Sequence, residues 1–335
     1  MPTPKLDMAV AQRVAERIRQ GQTVAAIEAA EGVASGTVFN VRQRMKTEPA
    51  LQAAKKIGVT DWREWSDWAK AGQNLKKKAS NSQEQAAFSL GEGKRPVILA
   101  TFSDQHIGSW GCDYDLFAQI TKEIVETPNL YLAMLGDETE TAIKLRSVLE
   151  VVSQVIPPEQ QEQFMESWLT EIAPKVAFAT WSNHGVERQE KQAGSSVVKN
   201  ILSRQAVYYN GIGHADIQVG EQIYRCAASH RFTGRSMYSS THGPRRYARH
   251  YAPDRELILQ GDLHTPELMQ YHEAAMHRVA ITSGSLQLNS GYAKRYYTLT
   301  TIPAYPCVVL HHDKHLMVPF WAIKDAITYV NGCGK

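Results

Sequence analysis

Five short apolar runs each end in side chains that can bind a metal or move a proton. Val97–Phe102 leads into Ser103, Asp104, Gln105 and His106, and Leu130–Leu135 into Gly136 and Asp137. Val176–Trp181 leads into Ser182, Asn183 and His184, Tyr224–Ala228 into Ser229 and His230, and Glu256–Gln260 into Gly261, Asp262, Leu263 and His264. Short apolar runs bounded by turn residues read as buried strands. Strands packed side by side bring their carboxyl ends to one edge, where α/β proteins build their sites. Eight polar side chains gathered there would be costly without compensation. Divalent cations resolve that cost, because carboxylate and neutral imidazole are their ligands.

The elements needed to hold such a site begin at Pro96. From there, strand-like runs alternate with helical stretches near 115–126, 138–153, 159–172 and 192–206. This is the pattern of a layered α/β fold.

The blocks, in order and in their strand-before-ligand context, resemble the calcineurin-like metallophosphoesterase superfamily over residues 96–321. That family's pattern is DxH, GD, GNH followed by an acid, a lone His, and GHxH. The resemblance implies a β-sandwich flanked by helices, in α-β-β-α layers. It implies that Asp104, His106 and His264 hold one divalent ion, that Asn183, His230 and Asp262 hold a second, and that Asp137 bridges both. It further implies that the two ions share a hydroxide that attacks the phosphorus, and that His184 is the general acid facing the leaving oxygen. Manganese is favoured, with magnesium, zinc and iron as alternatives.

Three positions depart from the pattern: Ser182 for Gly, Gly185 for the acid, and Asp262 for the first His of GHxH. Asp262 is read either as a hard ligand or as a residue that orients a ligand histidine. Glu187 is a candidate to replace the missing acid.

Residues 7–46 read as three short helices. The first carries Val10, Val14 and Ile18 on one face, Thr23 caps the second, Gly32 ends it, and Ser35 caps the third. The third turns Val38, Val41 and Met45 inward and leaves Thr37, Asn40, Arg42 and Arg44 nearer solvent. This resembles the helix-turn-helix modules of resolvase-like and transposase-like DNA binders. A three-helix cap or dimerisation module is the alternative. The expected division is therefore a DNA-binding domain at 1–48, a helical connector and basic flexible linker at 49–95, and a metallophosphoesterase domain at 96–335. Trp62, Trp65 and Trp68 are expected to form a buried stripe on a connector helix.

Charge narrows the partner. The net charge is only +3, yet residues 231–255 hold six arginines against one aspartate. Arg231, Arg235, Arg245, Arg246 and Arg249 are read as phosphate or nucleic-acid contacts on a loop near the site. A partly buried amphipathic helix is the alternative. DNA is the expected partner, which favours a nuclease similar to the superfamily's recombination-repair exonucleases. The pairing of modules also resembles phosphoesterases carried on phage genomes. The rivals are a phosphomonoesterase or protein phosphatase, and a DNA-binding protein with a weakened metal site.

Helix-turn-helix modules often act in pairs, which raises a homodimer. No apolar run approaches the ~20 residues that span a bilayer. The four cysteines form no CxxC pair, and the start lacks an apolar leader, so a reducing cytoplasm is expected.

Overall fold

The computed structural model describes residues 8–39, 41–42, 61–79, 84–142, 154–287 and 304–333. The chain divides into two compact units, Met1–Ser80 and Asn81–Lys335.

In the first unit, α1 (Met8–Arg19) and α2 (Val24–Glu31) are followed by helical residues 35–39 and 41–42. Thr23 accepts a hydrogen bond from the Ala26 backbone N–H, and Gly32 ends α2 at φ 64°, in the left-handed region where glycine is unstrained. The core is small: Val14, Ile27, Val38 and Val41 are buried, with Val10 and Ile18 packed against them. α3 (Trp62–Ala79) follows. Its tryptophans are not a buried stripe, since Trp62 is 68% exposed, Trp65 38% and Trp68 55%. Trp65 and Trp68, three residues apart and so neighbours on the helix surface, meet edge to face with ring centroids 5.9 Å apart.

The second unit is built on two mixed sheets. One runs β12-β11-β2-β3-β4-β5, with β2 (Val97–Phe102), β3 (Leu130–Met134), β4 (Val176–Thr180) and β5 (Val207–Tyr209) parallel. β11 (Cys307–Leu310) and β12 (Met317–Phe320) complete it antiparallel. The other runs β1-β6-β7-β8-β10-β9. Its members are β1 (Gln85–Ser89), β6 (Gly213–Val219), β7 (Gln222–Ser229), β8 (Leu257–Gln260), β9 (Glu267–Glu273) and β10 (Met276–Thr282).

Val97, Leu99, Leu135, Phe178, Ile217, Tyr224, Leu259 and Ile281 fill the space between the sheets. β2 alternates, so Ile98, Ala100 and Phe102 point the other way. They pack against α4 (Tyr114–Glu126), α5 (Pro158–Ile172), α7 (Val197–Gln205, which follows the short α6 at Arg188–Ala193) and α9 (Ile323–Gly332) through Phe117, Leu169, Leu202 and Ile323. On the far side of the second sheet, Ala248 of α8 (His242–Tyr251) packs with Phe232 and Ile258. The layers are therefore helix, sheet, sheet, helix, as the sequence reading expects.

Three local expectations change. The linker assigned to residues 49–95 includes β1, which pairs parallel with β6 from Gln85↔His214 to Ser89↔Gln218. Its alternating exposure marks an edge strand covered on one face. Residues 139–142 are not helical, and 143–153 of that expected helix lie outside the described residues. The arginine-rich segment ends in a helix, α8, and not in a loop. Among the described residues, no helix is long and apolar enough to cross a membrane.

Candidate metal centre

Backbone geometry assembles the site before any side chain does. The Asp104 N–H donates to the Gly136 carbonyl (2.9 Å), the His106 N–H to the Asp137 carbonyl (3.1 Å) and the Ile107 N–H to the Glu138 carbonyl (2.9 Å). These bonds tie the loop after β2 to the loop after β3. Asp104, His106, Asp137, Asp262 and His264 all have positive φ, between 50° and 69°. That region costs a non-glycine residue about 1–2 kcal/mol. Such strain persists only where the surroundings over-determine it, and it clusters at functional sites. Gly136, at φ 94°, cannot be replaced for a further reason: a Cβ there would meet the Ser182 Cβ at 2.5 Å and His230 Nδ1 at 3.0 Å.

The side chains form three overlapping groups, Asp104–His106–His264, Asp104–Asp137–His230 and His106–Glu140–His184. In the first, Asp104 Oδ1 lies 3.2 Å from His264 Nε2 and 4.0 Å from His106 Nε2, and the two imidazole nitrogens are 3.1 Å apart. In the second, His230 Nε2 is 3.3 Å from Asp137 Oδ2 and 2.7 Å from Asn183 Oδ1.

The outward nitrogens are fixed. His230 donates Nδ1–H to the Leu135 carbonyl (2.7 Å), and His106 donates Nδ1–H to Glu140 Oε2 (2.8 Å), which leaves both Nε2 atoms facing the cluster. A partner on the second ring nitrogen is how proteins orient metal-binding imidazoles.

The electrostatics fit a cation. Burial would raise the Asp137 carboxyl, but His230 and His184 outweigh it and hold it well below the usual carboxylate range. Burial would lower His230, but the Asp137 carboxylate overrides it and raises the imidazole to about 10. Burial opposes ionisation of Glu140 too, yet His106 brings it down to about 2. Asp104 Oδ1 is fully buried and has no hydrogen-bond partner, a state that costs free energy unless something else satisfies it. Carboxylates that pull protons onto neighbouring imidazoles, around an unpaired buried oxygen, suit divalent cations that would take the protons' place. The donor set fits the expected metals.

Asp104, His106, Asp137, Asn183, His230 and His264 thus come together. Asp262 adjoins them through its backbone, whose N–H donates to Asp104 Oδ2 (3.0 Å), but its carboxylate is occupied by Arg231 and Arg235. His184 lies beside the cluster, its ring 4.7 Å from that of His106. It donates Nδ1–H to the Glu140 carbonyl (3.2 Å), and its Nε2 accepts from Arg188 (3.0 Å). Burial lowers its pKa.

Arg245, Arg246 and Arg249 form a separate set. With His242, His250, Tyr271 and Glu273 they line a cavity of about 430 Å³ between α8 and β9. In the first unit Thr37 is half-buried and Arg42 exposed, while Asn40 and Arg44 lie outside the described residues.

Sequence reasoning missed Glu140, Arg188 and Glu138. Glu138 directly follows the GD pair and Glu140 stands two residues further on, but nothing in the sequence marks either as buried. Glu138 is buried without a hydrogen-bond partner, and burial pushes it up to about 7. It also helps account for Gly185: a Cβ at 185 would meet Thr139 Oγ1 at 3.0 Å and Glu138 Oε2 at 3.6 Å. Glu187, the candidate for the missing acid, pairs with Lys191 instead.

No protein-family model matches the sequence, and no curated protein matches it. Solved structures do. One is a conserved Streptococcus pneumoniae protein described as a predicted phosphoesterase, at 12% identity and TM-score 0.31, covering 67% of this chain and 97% of that one. Another is Vps29 from Entamoeba histolytica complexed with zinc, at 8% and 0.33, covering 67% and 98%. A third is a metallophosphoesterase from Sphaerobacter thermophilus, at 12% and 0.35, covering 71% and 94%.

Proposed function

We propose that this chain is a divalent-metal-dependent phosphoric ester hydrolase of the calcineurin-like metallophosphoesterase kind, acting on phosphodiester bonds of DNA. The observation that carries the reading is the pair of ligand groups sharing Asp104, with His106 and His230 each oriented by a partner behind the ring. Bound there, two divalent ions, manganese first among them, would supply Lewis acidity toward a phosphoryl oxygen and acidify a water.

The chain's own residues do the rest. Asp104, His106 and His264 would hold one ion, and Asp137 with Asn183 and His230 would hold the other. Arg231, 49% exposed, and Arg235, 68% exposed, offer guanidinium groups to the phosphate at the mouth of the cluster. His184 serves the leaving oxygen. Its Nε2 must first be protonated and released by Arg188, whose positive charge opposes that protonation. Imidazole is the side chain whose ordinary proton affinity suits transfer near neutral pH.

DNA is favoured by two features outside the centre. One is the arginine-lined cavity on α8. The other is the helix-turn-helix reading of the first unit, with Thr37, Asn40, Arg42 and Arg44 toward the groove, for which the exposure of Arg42 and the inward turn of Val38 and Val41 speak. Tethering a DNA-binding module to a hydrolytic centre raises the local concentration of substrate. A cytoplasmic enzyme acting as a homodimer of the recombination-repair or phage type belongs to the same proposal.

One observation favours a second reading, a DNA-binding protein with a weakened metal site: the Asp262 carboxylate is spent on arginines. The deciding assay is manganese-loaded protein against bis-p-nitrophenyl phosphate, p-nitrophenyl phosphate, single-stranded and duplex DNA, beside Asp137→Asn. Diester and DNA turnover lost in the variant supports the proposal. Monoester turnover alone would make the chain a phosphomonoesterase, and DNA binding without turnover would leave only the second reading.

A further inference from the structure

Asp262 sits in the middle of the site, with a carboxylate only 6% exposed. Both oxygens are taken by arginine. Oδ2 accepts from Arg231 Nε (2.8 Å) and Arg235 Nη2 (3.2 Å), and Oδ1 accepts from Arg231 Nη2. The two parallel bonds from Arg231 make the fork-to-fork pairing that fixes a guanidinium in orientation as well as place.

We propose that Asp262 is an anchor for Arg231, holding its guanidinium across the mouth of the cluster as a fixed phosphate-binding group, and is not itself a cation ligand. For its ligand centre the inference rests on the hydrolase reading above.

Three observations carry it. Ligand atoms at about 2.0–2.2 Å from one ion can be no more than about 4.4 Å apart; Asp262 Oδ1 meets that limit toward His230 Nε2, at 3.9 Å, but Asp262 joins no group of three or more donors that all lie within 4.8 Å of one another. The Asp262 backbone docks to the cluster through the bond to Asp104 Oδ2 and a strained φ of 69°, while its carboxylate lies closer to the arginines than to His230 Nε2, which is 3.9 Å from Oδ1. Arg231 directly follows His230, so the residue that places the imidazole also places the guanidinium. With one edge on Asp262 and the residue 49% exposed, the other edge is free for an incoming anion. An imidazole-to-carboxylate exchange would otherwise add a negative charge beside Asp104 and Asp137, where a phosphate must approach. The two arginines cancel that charge and reverse its sign at the mouth.

The test uses the full chain and calorimetric titration with two probes, manganese chloride and inorganic phosphate, each on metal-free and manganese-loaded protein. Asp262→Asn keeps the wild-type manganese stoichiometry and affinity. Arg231→Ala and Asp262→Asn each weaken phosphate binding by about tenfold, and the double variant loses no more than either alone. Arg231→Lys recovers only part, because an ammonium lacks the fork. A melting curve of each variant, recorded beside the titrations, separates lost phosphate binding from lost fold. Loss of a manganese site in Asp262→Asn would overturn the proposal, as would unchanged phosphate affinity in Arg231→Ala. Should the wild-type chain bind no manganese, the hydrolase reading falls, while the phosphate titrations of metal-free protein still decide the anchor.

Discussion

The two sheets contribute to the site in different ways. The ends of β2 and β3 deliver side chains locked from behind: Asp104, fully buried, accepts from the Asp262 N–H; His106, 2% exposed, is held by Glu140; and Asp137 accepts from the His184 N–H (2.8 Å). The ends of β7 and β8 deliver one buried imidazole, His230, and then an open rim: His264 is 28% exposed, and Asp262 is engaged by half-exposed arginines. One side is built to hold charge in a fixed place and the other to meet a ligand. Damage to the first should therefore abolish chemistry, and damage to the second should change what is bound.

The largest effect is expected at Asp137, the carboxylate that belongs to the second ligand group and caps the His184 N–H. Asp137→Asn, or chelation of the wild-type protein, should reduce bis-p-nitrophenyl phosphate turnover by about 10⁴-fold or more. DNA affinity should survive in a gel-shift assay. If DNA affinity fell equally, the contrast between a holding side and a meeting side would be wrong. His184→Ala comes next, costing about 10²-fold or more in kcat with manganese affinity intact. Equal loss of metal in that variant would make His184 a ligand.

A smaller effect tests the support behind the fixed side. Glu140 is buried and bonds His106 Nδ1, with Gln287 Nε2 donating to the same oxygen at 3.2 Å. Glu140→Gln keeps the shape and removes the charge. Manganese affinity should fall by about 10–100-fold, with kcat at saturating metal much less affected.

What was legible in the sequence divides along the same line. The ends of β2 and β3 could be read because buried parallel strands are continuous apolar runs and because few residue types can bind a cation. Glu140, Arg188 and Gln287 could not, since their roles arise only when loops distant in sequence are folded together. β1 was hidden because an edge strand with one covered face carries weak alternation, and Gln85–Ser89 holds one glutamine, three small residues and one aromatic. The α8 helix did carry a signal: Pro244 in its first turn, with Ala248 on the buried face, is a recognisable start. In the first unit the inward positions Val14, Ile27, Val38 and Val41 follow helical spacing, but spacing says nothing of what the outer face touches. For the same reason, the tryptophans of α3 were expected inside and are found outside.

The rim gives the smallest effect and a specific signature. Arg246 and Arg249 are exposed; Arg246 donates to the Thr233 carbonyl (3.2 Å) and Arg249 pairs with Glu273 (2.6 Å). Neither lies in a ligand group, so the Arg246→Ala/Arg249→Ala double variant should hydrolyse bis-p-nitrophenyl phosphate at the wild-type rate. A single strand that runs from the metal cluster over α8 would lose two phosphate contacts. Its binding should weaken by about tenfold at low salt, and the slope of log affinity against log salt should become shallower by about 1–1.5. The slope matters more than the affinity. A structural disturbance would weaken binding at every salt concentration alike, whereas a lost phosphate contact releases fewer counterions and changes the slope itself.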